Sequence, residues 1–330
     1  MSDQPITSAT QRLPAQEVAR EVARLHLRRA VKRARALRAR RHPADLLDPA
    51  LSELIHDFRV ALRRLRSWLR ACRVAMADTV PGGRWRDLRA VSRRAGRVRD
   101  FEVELAWLRG VIRDDPGAAP AAHWLVDRDR DRHGRALLGL LDHLGGEWRH
   151  LANALDEEFR HYYVEVCLGE TVAPPVMGTV LAAALRSHRD EFLTTMTPPP
   201  KVSQVAELHR TRIAAKHLRY LLEVFDARTR SRSVALAALR KLQDDVGELH
   251  DAQTLDATLA DLERSKRRPG APDRAAFEAL QRAVRRRIRA AWSVARPTMA
   301  EARRPAVTAE IDAMARRCEL AAAIREPGKR

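Results

Sequence analysis

A row of basic side chains lies on one face of a predicted helix early in the sequence. Its members recur at steps of three and four residues, which places them on one side of an α-helix. This first row consists of His56, Arg59, Arg63, Arg66 and Arg70. The adjacent stripe is apolar and predicts the buried side: Ile55, Phe58, Leu62, Leu65 and Leu69. At ~1.5 Å per residue the row is about 20 Å long, which suits several groups of an extended polyanion.

The same order of residues recurs 153 positions later. This second row consists of His209, Arg212, Lys216 and Arg219, which match the first four members of the first row. Glu223 stands where the first row has Arg70. Like charges one turn apart destabilise a helix by a few tenths of a kcal/mol per pair. A basic row that occurs twice therefore favours ligand binding over a merely solvated face.

A second repeated motif supports an internal duplication. Gly96-Arg97-Val98-Arg99-Asp100 aligns with Gly247-Glu248-Leu249-His250-Asp251 at an offset of 151. Each half then reads as four helices, so the predicted fold is all-α, with two four-helix bundles related by a pseudo-two-fold that brings the two rows to a shared centre. The predicted division is a flexible tail over 1–15, a first half over 16–170, a linker over 171–175, a second half over 176–296, and an extension with a short helix over 297–330.

Composition favours a helical protein with a polyanionic partner. The 330 residues carry a net charge of +19, and aromatic residues make up only 5%. Arginine outnumbers lysine, and its planar guanidinium can grip a phosphate through two hydrogen bonds. The three cysteines are isolated, and no apolar run is long enough to span a membrane. We therefore expect a cytoplasmic protein with reduced thiols and no membrane contact.

The doubled motifs resemble the CHAD family, the conserved histidine α-helical domain. The resemblance rests on His56-x-x-Arg59-x-x-x-Arg63-Arg64-Leu65-Arg66, on its second copy from His209 to Tyr220 and on the two glycine motifs, and it spans residues 16–296. It implies two four-helix bundles around a central basic pore that binds inorganic polyphosphate. It further implies association with polyphosphate granules and a polyphosphate-metabolising enzyme as partner. No fused catalytic domain is recognisable here, and His217 and Glu223 replace bases that the first row region carries at Arg64 and Arg70.

The expected polyphosphate contacts fall into two groups, and no metal or cofactor is expected. The first group is His56, Arg59, Arg63, Arg64, Arg66, His209, Arg212, Lys216 and Arg219. The second group, for which a solvated face is an equal interpretation, is Arg28, Lys32, Arg93, Arg97, Arg99, Tyr220 and His250. The row histidines either add charge below about pH 6.5 or donate one neutral N–H. Asp100 and Asp251 are expected to orient neighbouring bases.

Catalysis and nucleic-acid binding are the two alternatives to binding of polyphosphate. His56-Asp57 and His250-Asp251 invite comparison with helical HD-type phosphohydrolases, but the repeats lack the pair, because Arg210 follows His209 and Arg99 stands where His250 does. We therefore expect no catalysis. A sequence-independent nucleic-acid-binding protein is the alternative, since charge alone supports it equally. Against it, aromatic residues are few, and Trp68, Trp85 and Trp107 fall on predicted core positions rather than on stacking platforms.

Overall fold

The computed structural model describes residues 6–40, 49–76, 79–160, 174–225, 227–231, 233–264, 270 and 272–323, and its regular elements there are all helical. A short 3-10 helix at Thr10–Arg12 precedes the α-helices. These are α1 (Ala15–Arg38), α2 (Pro49–Ala71), α3 (Gly82–Asp114), α4 (Ala119–Gly145), α5 (Glu147–Arg160), α6 (Met177–Thr195), α7 (Val205–Leu222), α8 (Ala227–Ser231), α9 (Val234–Arg264), α10 (Arg274–Ala302) and α11 (Pro305–Ala323). The all-α prediction is confirmed. Cys167 and most of the predicted linker lie outside the described residues.

The predicted apolar stripe of α2 forms its buried side. All five of its members, from Ile55 to Leu69, are fully or almost fully excluded from solvent. Trp68 extends the stripe, and its indole N–H donates to the Ala19 carbonyl oxygen of α1 at 2.8 Å. Burial of this side fixes the rotation of α2, so the first row must lie beside the core and face its edge.

Helices pack in the same order in the two halves of the chain. In the first half α1 packs on α2, α2 on α3, α3 on α4 and α5 on α1; in the second half α6 packs on α7, α7 on α9, α9 on α10 and α11 on α6. The halves contact each other through α2 with α7, α4 with α10, α1 with α6 and α3 with α9. A large core joins both halves, and a smaller one draws Leu108, Leu125, Leu255 and Leu280 from α3, α4, α9 and α10.

The structure differs from the sequence-based description at both ends. Residues 6–14 were predicted to be part of a flexible tail, but Ile6 is buried and the Ala15 amide donates to the Pro175 carbonyl oxygen at 2.8 Å. Pro297 opens the predicted extension, and a proline usually ends a helix, yet α10 continues through it to Ala302. The buried side chains Ala295 and Met299 hold α10 against the core on both sides of the exposed proline.

The last helix, α11, packs into the second half of the chain. Residues 297–330 were predicted as an extension, but α11 packs against α6 and α9. Arg186 of α6 donates to Glu319 of α11 at 2.8 Å. Gly178 of α6 allows the close approach, because a Cβ there would overlap the Cys318 carbonyl oxygen and lie 3.0 Å from the Ala322 Cβ.

Replacing Gly178 with alanine is expected to lower the free energy of unfolding by about 1–3 kcal/mol, since the packed α6–α11 interface must shift. Chemical denaturation measures this. Gly139→Ala on α4 is the control, because a Cβ there meets no atom within 4 Å; it should stabilise the protein by about 1 kcal/mol through helix propensity. Equal stability of Gly178→Ala and the wild type would contradict the described packing of α11.

Candidate functional site

The contact between α2 and α7 places the two basic rows beside each other. Lys216 of the second row lies where they meet. Burial, followed by the charges of Arg212, Arg63, Arg66 and Arg59, lowers its pKa from 10.5 to about 7. Three of these four arginines belong to the first row, so residues from both helices share one electropositive environment.

The arginines of the first row are held in the same partly buried environment. Burial lowers the pKa of Arg59 to about 10, and the charges of Arg63, Arg99 and Arg212 act in the same direction. Burial also lowers the pKa of Arg63 and of Arg66. The buried Nε atom of Arg63 has no hydrogen-bond partner among the described residues. The row is therefore desolvated enough for its charges to repel one another strongly.

Carboxylates neutralise only the outer members of the rows. Arg59 Nη2 lies 3.6 Å from Asp100 Oδ1, as expected of an orienting carboxylate, and Arg70 Nη2 lies 3.6 Å from Glu191 Oε1. Four row cations have no carboxylate oxygen within 4.0 Å among the described residues: Arg63, Arg66, Arg212 and Lys216. We call this group of partly buried cations without a nearby carboxylate the central cation cluster.

The carboxylate of Glu223, at the end of α7, forms ion pairs with arginines of α2, α7 and α9. Its carboxylate, with only 9% of the side chain exposed, accepts from Arg64 Nη2 at 3.2 Å. Arg219 Nε and Arg240 Nη2 lie 3.7 Å and 3.6 Å from its Oε1 atom. Arg64, predicted as a first-group contact, is thus turned away from the central cation cluster. Arg240 was missed, because α9 carries no repeated motif at that position.

The site histidines are neutral near pH 7. Burial, followed by neighbouring arginines, lowers the pKa of His56 and of His209. His250, whose ring centroid lies 5.0 Å from that of His209, has its pKa lowered to about 4 by the same causes. Of the two predicted roles of the row histidines, the structure favours donation of a neutral N–H over added charge.

The residues of the second predicted group lie in several different environments. Arg99 Nη1 donates to Ser52 Oγ at 2.7 Å and to Glu102 Oε2 at 3.1 Å, so it belongs to a local network. Arg93 is exposed and close enough to lower the pKa of Arg66. Of the others, Arg28, Lys32 and Arg97 are exposed, and Tyr220 is buried under Arg219, close enough to Arg63 to raise the pKa of that arginine.

The described residues contain neither a cluster of metal ligands nor a helix that could span a membrane. No group of three or more His, Cys, Asp and Glu side chains stands close enough there to hold a metal ion. None of the described helices combines the length and the apolar character that crossing a bilayer requires.

Comparison with known proteins identifies the fold. The model of a family described as the CHAD domain matches residues 34–260. The crystal structure of the CHAD domain from the plant Ricinus communis is 20% identical, covers 100% of both chains and gives a TM-score of 0.57. PptA from Streptomyces chartreusis is 18% identical, covers 87% of this chain and 99% of its own, and gives a TM-score of 0.62. No curated protein sequence matches. At these identities the likeness to the two structures concerns the fold alone.

Proposed function

The chain belongs to the CHAD-domain family, and from this premise we propose that it binds inorganic polyphosphate along the facing rows of α2 and α7. The central cation cluster carries the proposal. Four partly buried cations without a carboxylate partner destabilise the free protein by mutual repulsion. An anionic polymer laid between the rows would relieve that repulsion and replace water by charge-assisted hydrogen bonds.

The shape of the site suits a linear polymer without sequence. Polyphosphate offers one negative charge per unit, and cations one helical turn apart can meet successive units. The equal order of helix packing in the two halves supports the further proposal that they arose by duplication. The proximity of Lys216 to three arginines of α2 supports a shared central channel lined by both rows.

The proposal extends to role and location through the family resemblance. We propose a non-catalytic protein that accompanies polyphosphate in the cytoplasm, on granules or beside a polyphosphate-metabolising enzyme. The central cation cluster supplies binding groups, whereas hydrolysis would need a group that activates water at the chain. Release of inorganic phosphate from polyphosphate, with or without a divalent metal, would overturn the non-catalytic part while leaving the binding site intact.

A competition between two polyanions tests the proposal. Titrated at physiological salt with long polyphosphate and with duplex DNA of equal total charge, the protein is expected to bind polyphosphate more tightly, because a flexible single chain can present successive phosphates to both rows. By analogy with DNA, 6–10 phosphate contacts would lose roughly 10³–10⁵ in affinity between 50 and 200 mM salt. Preference for DNA would favour the nucleic-acid alternative and reject this function.

A further inference from the structure

A cavity of about 730 Å³ opens on a different face of α2 from the first row. Its walls come from α1, α2, α8, α9 and the end of α7, and it contains no member of the central cation cluster. The volume falls within the roughly 300–1,000 Å³ typical of small-molecule sites. The polymer-binding proposal makes no use of it.

The cavity is rich in cations but also contains carboxylates. Its six cationic side chains are Arg29, Lys32, Arg33, Arg64, Arg230 and Arg240. The carboxylates are Asp57, 3.1 Å from Arg33 Nη1, and Glu223, which Arg64 and Arg240 approach. Cations outnumber carboxylates six to two, so the cavity selects anions. The two carboxylates hold the arginines in place and leave acceptor positions on the wall.

Two buried polar groups in the wall have no hydrogen-bond partner among the described residues. His26 is 5% exposed and Tyr220 is 3% exposed, and both line the cavity. His26 Nδ1 and the Tyr220 hydroxyl find no hydrogen-bond partner among the described residues. A buried polar group left without a partner loses its hydration with nothing in return, so such groups point to a ligand that is missing.

The chemistry of these two groups differs from that of the arginines. Burial, then the charges of Arg29 and Arg64, lowers the pKa of His26 to about 3. The imidazole is therefore neutral at physiological pH and offers one donor and one acceptor. A phenol hydroxyl can likewise do both. Since a bare phosphate chain supplies acceptors only, an imidazole acceptor and two carboxylates would gain nothing from it.

We propose that this cavity binds a compact hydroxylated compound that carries two or more phosphate groups, separately from the polymer. Its phosphates would contact the arginines of α1, α2 and α9. Its hydroxyl groups would donate to the carboxylates and to the imidazole of His26. Val60 and Val224 add an apolar wall for the carbon skeleton.

Isothermal titration with fructose 1,6-bisphosphate as the probe tests this site. The first variant, Arg33→Gln/Arg240→Gln, removes charge from two walls at side chains that are 45% and 51% exposed, so the fold is retained. It is expected to bind the probe at least about tenfold more weakly while binding polyphosphate as the wild type does. The second variant, Arg63→Met/Lys216→Met, should show the reverse: unchanged affinity for the probe and weakened affinity for polyphosphate.

Inorganic tripolyphosphate, which lacks hydroxyl groups, is the matched control ligand. With the second variant, in which the rows no longer compete, the probe should bind more tightly than tripolyphosphate. Equal or tighter binding of tripolyphosphate would overturn the proposal, because the cavity would then be a plain polyanion site. Absence of probe binding to the wild type, or loss of both ligands in the first variant, would also overturn it. Unweakened polyphosphate binding in the second variant would instead count against the polymer site alone.

Discussion

Replacing Arg63 and Lys216 together with methionine is expected to weaken polyphosphate binding by about 100-fold, or about 1.4 kcal/mol for each lost charge-assisted contact. The two residues belong to the central cation cluster and lie on α2 and α7, and the charge of Arg63 lowers the pKa of Lys216. Methionine keeps an apolar stem of similar length, so packing is retained. The dependence of log affinity on log salt should become shallower by about 1–2 units, because two fewer phosphates are neutralised.

The matched control removes two charges elsewhere. Arg285 and Arg289 are exposed on α10, and their replacement with methionine lowers the net charge equally. If the rows form the site, this control should change the affinity for polyphosphate by less than about threefold. The two exposed arginines would then attract the polymer only from a distance, and salt screens that attraction. The cluster variant should also melt at the same or a higher temperature, since repulsion between buried cations is removed. Equal weakening by both variants would show that affinity follows net charge rather than the rows.

Affinity for a long polyphosphate is expected to fall as the pH rises from 7 to 9, by up to about tenfold per pH unit. The pKa of Lys216 is about 7 in the free protein, so its ammonium is largely deprotonated above that pH. Bound phosphates favour the ammonium and raise its pKa toward 10.5, so binding then requires the uptake of a proton. The groups that face Lys216 are Arg212 of α7 and Arg59, Arg63 and Arg66 of α2. Arg59, with a pKa of about 10, stays largely charged up to pH 9.

Stability of the free protein should change in the opposite direction. Between pH 7 and 10.5 the unfolded chain binds more protons at Lys216 than the folded chain does, so the contribution of this residue to the free energy of unfolding rises with pH. Titration calorimetry and denaturation over the same pH series measure the two trends. Lys216→Arg, which keeps its charge, should bind at pH 9 as it does at pH 7. A slope in wild-type affinity that persists in this variant would assign the pH dependence to another group.

The spacing of residues within a single helix correctly predicted which side of that helix is buried. The apolar stripe from Ile55 to Leu69 settled which side of α2 is buried, and the basic row next to it followed from the same geometry. Arg64 shows the limit of this reasoning. A step of one residue turns a side chain by about 100° to another face, and only the tertiary structure reveals that Glu223 and Arg240 meet it there.

Contacts between distant segments could not be read from the sequence either. Pro297 is typical of a helix end, but buried neighbours on either side override that preference. The partners of α11 depend on a small residue, Gly178, whose role is visible only beside Cys318. His26 gave no signal, because it lies among apolar residues of α1 and its cavity is completed by α7 and α9.

The smaller core links the unfolding of the two halves of the chain. Leu108 and Leu125 come from the first half, whereas Leu255 and Leu280 come from the second. A chain cut between α5 and α6 would leave one side of this core on each fragment, open to water. Neither fragment would then be an autonomous folding unit, so the halves should melt in a single cooperative transition, and the spacing between the rows is kept by the whole molecule.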